Sequence, residues 1–443
     1  MGEVYYALAN FQKSREHLQV ALSLMGQSAD LTKGELVKAL LKQVWLQFKH
    51  RLRPKKYLGC KKSNAQQVLA LARAFERLAQ IAYMGNDKLV VLYAALRALN
   101  LAGHAGTSPE LARSLANVCV VASMIPNYKL ADMYYQLAHK TAKQTNNLQC
   151  QAYAMMVTAI YRTTTGGWQD INESVLPAIE IAKRIGDHRR WDELMFTLAP
   201  STYRLGKHSL AREQFEELYE SGLRRGIMQI QAWGLTGMLY SSTPSGETID
   251  IEEALKKVDF EKLNVGDKTM IYGVLARAAY YRGDIELAKL YADRTVDTVR
   301  GSDAVAQYVL EGLVGALDVL LSMWEDEPSS AVIFKDSVQV MMKVLKIYSK
   351  TYLIAGPAYK RCLGRIAYLT GKNSRAVKYW QEGLECAIDL DMRYEQALLR
   401  YELGRFTHDD QSREYLIQAR DSFDIMGAEI NYQKVESLLS KSA

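Results

Sequence analysis

Helix-breaking residues and paired cysteines are scarce in this sequence. Only 8 of its 443 residues are proline, so long stretches are free to form helices. The five cysteines, Cys60, Cys119, Cys150, Cys362 and Cys386, are scattered and never stand in a C-x-x-C pair. This usage argues against a disulfide framework and a cysteine zinc site, and it predicts a reduced, cytoplasmic protein.

Signatures of membrane spans and of catalysis are also missing. No run of roughly eighteen uncharged apolar residues is present, so we expect no membrane crossing. The phosphate-binding motif G-x-x-x-x-G-K-[ST] and the motifs G-x-G-x-x-G, H-E-x-x-H and G-x-S-x-G do not occur, and the seven histidines are dispersed. Because these motifs carry nucleotide, metal and nucleophile chemistry, we expect no catalytic residue, no metal site and no cofactor.

A turn residue that recurs every forty positions is the main positive feature. The recurring turn residues are Asn86, Pro126, Gly166, Gly206 and Gly246. Residues at helical steps follow several turns: Ala131, Tyr135 and Ala138, then Trp168, Ile171, Val175 and Ala178, then His208, Ala211, Phe215 and Leu218. Seven positions before the turns stand Ala79, Cys119, Ala159, Ala199 and Leu239. The pattern predicts an all-α fold, a tetratricopeptide-like α-solenoid: a right-handed superhelix of helical hairpins with about 40 residues per repeat.

Departures from this period divide the chain into three segments. For residues 1–63 the pattern predicts a truncated first repeat, an amphipathic helix and a basic loop. The amphipathic helix covers 35–52 and has Leu36, Leu40, Val44 and Phe48 in helical steps. Residues 64–300 predict regular hairpin repeats. Residues 301–443 predict an enlarged hairpin, with helices near 305–323 and 333–352, and the C-terminal repeats of the same solenoid. The short leading helix leads us to expect that the chain is part of a longer one.

A basic cluster follows the amphipathic helix, in a chain whose net charge is +7. It comprises Lys49, Arg51, Arg53, Lys55, Lys56, Lys61 and Lys62, with no acidic residue among them. Such a cluster fits an anionic partner, either nucleic acid or anionic lipid. A solvated loop between repeats is the alternative, and we favour it because a nucleic-acid binder would carry basic side chains along a whole face.

The first helix of each predicted hairpin offers a candidate binding face. In tetratricopeptide hairpins these helices line the concave side, and residues enriched at binding hot spots recur there. They are Arg73, Glu76, Tyr83, Arg113, Tyr153, Met156, Tyr203, Arg204, Trp233, Tyr240, Arg277, Tyr280, Arg361 and Arg365. Alternatively, the rings pack between adjacent first helices and the arginines are solvated.

Several segments resemble the C-terminal helical region of large signalling ATPases. These segments are LYAALRALNLA at 92–102, SPELAR at 108–113, GDHRRW at 186–191, LSMWE at 321–325 and IAGP at 354–357. They are similar to STAND-type, AAA-like proteins that are fused to class III adenylate/guanylate cyclase or serine/threonine kinase domains. In that family the catalytic and nucleotide-binding domains precede the repeats, so the resemblance carries over no catalytic residue.

Three functions stay open from the sequence. The first is a non-catalytic interaction or sensor module whose concave face binds a protein segment or its parent's ATPase domain. The second is a fragment of a cyclase or kinase polypeptide that acts as its regulatory tail. The third is a nucleic-acid-binding regulator that works through the basic cluster, which predicts a steep loss of affinity with salt.

Overall fold

The computed structural model describes residues 1–8, 10–27, 31–53, 64–85, 87–125, 128–246, 255, 258–260, 263–300, 306–406 and 410–441. This part of the chain contains α-helices, short 3-10 turns and no strand. The α-helices are α1 Gly2–Ala7, α2 Phe11–Leu24, α3 Lys33–Leu52, α4 Ala65–Met84, α5 Lys88–Ala105, α6 Pro109–Ser123, α7 Tyr128–Gln144, α8 Leu148–Thr165, α9 Trp168–Ile185, α10 His188–Arg204, α11 His208–Arg225, α12 Met228–Ser242, α13 Val265–Tyr281, α14 Ile285–Val299, α15 Leu310–Asp326, α16 Ala331–Thr351, α17 Gly356–Leu369, α18 Asn373–Asp389, α19 Arg393–Phe406, α20 Asp410–Ile425 and α21 Glu429–Lys441. Helices that follow one another in the chain pack in pairs, as in an α-solenoid.

The predicted glycine turns are confirmed. Gly166 and Gly206 adopt φ angles of +75° and +78°, which an L-residue with a Cβ rarely adopts. The turn glycines Gly246, Gly283 and Gly371 share this left-handed conformation. Asn86 and Pro126, the other two predicted turn residues, lie outside the described residues.

Most predicted helices are found close to their expected bounds. The amphipathic helix expected over 35–52 is α3, which begins with a capping box between Thr32 and Glu35. The two helices of the enlarged hairpin are α15 and α16. Ser108 caps α6 by accepting a hydrogen bond from the backbone N–H of Leu111, as expected for Ser before Pro. The basic loop lies outside the described residues.

The chain divides into two compact units. Unit 1 comprises Met1–Arg162 and Gln169–Leu194, and unit 2 comprises Thr163–Trp168 and Met195–Ala443. The sequence analysis divides the chain differently, by the regularity of its repeats, into segments 1–63, 64–300 and 301–443. That division stays a prediction.

Small residues let helices that follow one another in the chain cross closely. In unit 2, Gly364 of α17 lies against the indole of Trp380 in α18, and Gly237 of α12 lies against the ring of Phe215 in α11. The residues predicted at the crossings, Ala79, Cys119, Ala159, Ala199 and Leu239, are all buried. Burying a Trp or Phe ring of this kind contributes roughly 2 to 3 kcal/mol to the free energy of unfolding.

One predicted core residue in α7 is wrong. Ala131 and Ala138 are fully buried as expected, but the buried ring is Tyr134 rather than Tyr135. The hydroxyl of Tyr134 bonds to Gln47 and accepts a hydrogen bond from Arg51, both on α3. These bonds hold its ring inward, whereas the half-buried Tyr135 packs beside His139.

Helix α3 packs on the rest of unit 1 through polar side chains. Gln43 is buried, and its side-chain and backbone oxygens both accept hydrogen bonds from Asn100 of α5, at 3.0 and 3.1 Å. Of the apolar residues expected on one face, Leu36 is buried, but Val44 and Phe48 are 50% and 60% exposed. The polar contacts therefore decide which side of α3 faces inward.

Unit 2 also contains contacts between residues that are far apart in the sequence. The Nε1 atom of Trp168 donates a hydrogen bond to the carbonyl oxygen of Leu390 at 2.6 Å, and the turn at Gly206 lies against Met426. Among the described residues, no helix has the length and apolar character that a membrane span requires.

Candidate protein-binding face

The residues predicted to line a binding face all lie on helices that come first in their pairs. In unit 1 they belong to α4, α6 and α8, and in unit 2 to α10, α12, α13 and α17. Only Arg73 is exposed, whereas Tyr83, Arg113 and Tyr280 are half-buried. The others are buried, namely Glu76, Tyr153, Met156, Tyr203, Arg204, Trp233, Tyr240, Arg277, Arg361 and Arg365. Most of these side chains therefore face the interior of their unit, and their contact with a partner stays a prediction.

Unit 1 joins neighbouring first helices through a row of ion pairs. Arg113 of α6 donates from Nε to both carboxylate oxygens of Glu76 in α4, at 3.0 and 3.1 Å. Arg73 of α4 pairs with Glu110 of α6 at 2.7 Å. Burial raises the pKa of the Glu76 carboxyl more strongly than Arg113 lowers it, so the net pKa lies above its ordinary value.

Tyr153 of α8 continues this row with polar contacts of its own. Its hydroxyl donates to Asn117 of α6 at 2.7 Å and accepts from Gln80 of α4 at 2.5 Å. The guanidinium of Arg190 lies over its ring, 4.5 Å from the centroid, and a cation over an aromatic face is stabilising. Three successive first helices of unit 1 are thus linked through one phenol.

Unit 2 carries a denser ionic network around α17. Arg361 makes two hydrogen bonds to Asp318 of α15, at 2.7 and 3.1 Å, and two to Glu395 of α19, at 3.0 and 3.4 Å. Arg361 is only 3% exposed. A buried guanidinium needs such partners, because an unpaired buried charge costs several kcal/mol.

A second buried arginine extends the network by one helical turn. Arg365 donates to Glu325 and to the hydroxyl of Ser322, both at 3.0 Å. Arg405 of α19 shares Glu325 at 2.9 Å and also contacts Glu402 at 3.0 Å. Helices α15, α17 and α19 are therefore held together by bonds between charged groups.

The carboxyl groups of this network differ in their pKa. Burial raises the pKa of Asp318, but the charges of Arg361 and Arg365 outweigh burial and hold the net pKa below its ordinary value. For Glu395 burial dominates, so its pKa lies above the ordinary value although Arg361 lowers it. Asp318 is thus the more firmly ionised partner of Arg361.

Aromatic rings of unit 2 pack between adjacent first helices. Tyr203 of α10 and Tyr240 of α12 meet edge to face with their centroids 4.9 Å apart. Trp233 of α12 donates from Nε1 to Asp267 of α13 at 2.7 Å. These ring contacts agree with the alternative interpretation, in which the rings pack between adjacent first helices. The solvated arginines of that alternative are wrong for the buried ones, such as Arg361.

A small cavity in unit 2 adjoins hydrogen-bond donors that are not used. It measures about 20 Å³, and its lining includes Tyr203, Arg204, Arg277 and Glu311. Within the described residues, Nη2 of Arg277, Nε and Nη1 of Arg204 and the hydroxyl of Tyr203 are buried without a hydrogen-bond partner. Arg204 contacts Glu311 through Nη2 at 3.4 Å. The cavity has room for about one water molecule.

The basic cluster is described only in part. Lys49 and Arg51 belong to α3, and Arg53 follows it directly. The ammonium of Lys49 lies over the ring of Trp45, and Arg51 contacts Tyr134. Lys55, Lys56, Lys61 and Lys62 lie outside the described residues.

Sequence reasoning identified the arginines of the face and Glu76, the partner of Arg113, but missed the acidic partners of Arg361 and Arg365. Asp318, Glu325 and Glu395 were not singled out, although each lies close to one repeat length from its arginine, at separations of 43, 40 and 34 residues. The pair of Glu76 and Arg113 shows a separation of 37 residues. Opposite charges one repeat apart on first helices were therefore the available signal.

No family model matches this chain, and no curated protein matches it at a significant level.

Proposed function

We propose that this chain is a tetratricopeptide-type solenoid that binds an acidic protein segment on the face formed by its first helices. It acts as the non-catalytic sensor module of a multidomain signalling ATPase linked to a cyclase or kinase. The paired helices, the forty-residue turn period and the small residues at the helix crossings support the tetratricopeptide assignment.

The unused donors beside the cavity in unit 2 carry the binding proposal. A buried polar group without a partner costs about 1 to 3 kcal/mol, and Nη2 of Arg277 is such a group. A carboxylate from a partner would satisfy it together with the free atoms of Arg204. The chemistry of these donors therefore favours an acidic segment.

Binding at this place requires the first helices to separate. A cavity of about 20 Å³ is too small for a side chain, so a bound segment requires a more open state than the one described. A segment that reaches Arg277 binds an opened state better and shifts the population towards it. This coupling is what a sensor module needs.

Fluorescence anisotropy with labelled acidic peptides, each carrying Asp or Glu beside Leu or Tyr, tests the binding proposal. We expect Arg277→Gln to weaken binding at least about tenfold, the usual loss when one partner of a buried charge pair is removed. Arg224→Gln is the matched control, because Arg224 is an exposed arginine that pairs with the exposed Glu220. The binding proposal fails if no acidic peptide binds, or if both variants bind like the wild type.

The proposed parent is tested separately. The transcript immediately upstream of Met1 is sequenced and translated in the same frame. An open frame that continues into a P-loop and a cyclase or kinase domain supports the signalling ATPase, with this chain as its regulatory tail. A stop codon close upstream contradicts that parent and leaves a free-standing module.

A further inference from the structure

The outward side of α3 is an apolar stripe. Apolar residues recur along it at steps of four, three, one, three and four positions, which keeps them within an arc of about 100°. They are Val37, Leu41, Val44, Trp45, Phe48 and Leu52, and their exposed fractions run from 41% to 65%. The stripe is about 22 Å long at the rise of an α-helix.

Contacts on the opposite side of α3 fix its orientation within unit 1. Gln43 is bonded to Asn100, Gln47 donates to Asn100 at 2.8 Å, and Arg51 donates to Tyr134 at 2.5 Å. Rotating α3 to bury the stripe would break these bonds and expose Leu36. The apolar side therefore faces outward as a consequence of specific contacts.

Basic side chains border the stripe on both sides. By helical position, Lys38, Lys42 and Lys49 follow one edge, and Lys33 and Arg51 follow the other. Glu35 is the only acidic residue of α3, and it is engaged in the capping box with Thr32. An apolar strip with Trp and Phe, bordered by lysines, is typical of helices that lie in the interface of an anionic membrane.

We propose that α3 docks unit 1 onto an anionic lipid surface, with Trp45 and Phe48 entering the acyl boundary and the bordering lysines contacting phosphate groups. A flat surface fits the stripe better than a groove does, because a groove would enclose α3 from several sides and the rest of unit 1 already covers its inward side. A second copy of this chain fits poorly, because two such stripes would bring lysines against lysines. The long stems of lysine allow the ammonium groups to reach the headgroups.

Vesicle flotation with the full chain tests this docking. The probes are vesicles of pure phosphatidylcholine and vesicles in which about a third of the lipid is phosphatidylserine, the main anionic lipid of such surfaces. We expect binding to the anionic vesicles only, and weaker binding as salt rises because the lysine contacts are screened. Equal binding to both vesicles, or binding to neither, overturns the proposal, and the second result leaves an acidic protein as the occupant.

Variants of α3 locate the contact. We expect Trp45→Gln/Phe48→Gln to reduce partition into anionic vesicles at least about tenfold, and Lys38→Gln/Lys42→Gln about fivefold for each lysine removed. Val332→Gln/Ile425→Gln is the matched control, because these apolar residues are 85% and 86% exposed but lie outside α3. Circular dichroism checks that each variant is folded. An equal loss in the control variant contradicts docking through α3.

Size-exclusion chromatography with light scattering measures the molar mass of the protein and tests whether a second copy covers the stripe. We expect the same monomeric mass for the wild type and for Trp45→Gln/Phe48→Gln. A wild-type dimer that this variant dissociates would show that another copy covers the stripe, and it would overturn the lipid proposal.

Discussion

Arg361 and Asp318 face each other across α17 and α15 through two hydrogen bonds of 2.7 and 3.1 Å, although 43 residues separate them in the chain. Both partners have little contact with solvent, and the Arg361 side chain is 4% exposed. Between these two helices, paired charged side chains occupy buried space that leucine and alanine occupy elsewhere in the fold.

Removing Asp318 should destabilise unit 2 strongly. Asp318→Leu leaves Arg361 and Arg365 buried with one carboxylate fewer, which costs about 3 to 5 kcal/mol. The midpoint of urea unfolding, followed by circular dichroism, measures the loss. Asp336→Leu is the matched control, because the pair of Asp336 and Arg300 is exposed and contributes less than about 1 kcal/mol. Equal midpoints for the two variants would contradict a structural role of the buried pair.

Gly273→Ala should separate α13 from α15. A Cβ atom at Gly273 would overlap the carbonyl oxygen of Gly312, so the two backbones must move apart. Overpacking of this kind costs about 1 to 3 kcal/mol or more, and thermal unfolding measures it. Gly34→Ala is the control, because a Cβ there meets nothing within 4 Å, and its melting temperature should stay the same or rise slightly. A Gly273→Ala protein as stable as the wild type would mean that this crossing is looser than described.

Ala138→Phe tests the register of α7. Ala138 is fully buried, so a phenyl ring must displace its neighbours at a cost of about 1 to 3 kcal/mol. Leu137→Phe places the same ring one position earlier, where the side chain is 40% exposed, and should have little effect. The melting temperatures of the two variants are compared, and a smaller loss for Ala138→Phe than for Leu137→Phe would show that the assigned register is wrong.

His208 should make unit 2 sensitive to acid. Its ring lies between Tyr203 and Tyr394, and burial, reinforced by the charge of Arg277, lowers its pKa to about 4. Since the unfolded chain binds the proton near pH 6.5, stability that is present above this pH is lost as the pH falls towards 4. The contribution of one such group reaches about 3 kcal/mol.

His208→Phe keeps the ring and removes the titrating group. We expect the difference in unfolding free energy between pH 7 and pH 4 to shrink by about 2 to 3 kcal/mol in this variant. His17→Phe replaces an exposed histidine and serves as the control. If both variants keep the pH dependence of the wild type, His208 does not contribute to it.

Local patterns in the sequence were sufficient for the helix pairs and their turns. Gly166 and Gly206 mark left-handed turns because glycine is the residue that adopts this conformation without strain. The choice between Tyr134 and Tyr135 could not be made from periodicity, because adjacent positions both lie near the buried face of α7. Hydrogen bonds from α3 decide it, and that helix is far away in the sequence.

The candidate face was predictable in position but not in accessibility. Residue type and repeat spacing place Arg361 and Arg365 on first helices correctly. Whether such residues face solvent or an acidic partner depends on side chains of the neighbouring first helices, such as Asp318 and Glu395. Residue type and spacing indicate which acidic residues are candidates for these pairs, but the burial of each pair depends on the packing of the complete helices.

The bond from Trp168 to Leu390 joins positions 222 residues apart. In most repeat arrays each repeat contacts only its neighbours, so the duplication or deletion of a repeat is easily tolerated. In unit 2 the turn near Gly166 must reach the turn at Leu390, and this requirement sets the number of helix pairs between them. Evolutionary descendants of this chain are therefore expected to differ in the residues within these helix pairs but to keep the same number of pairs.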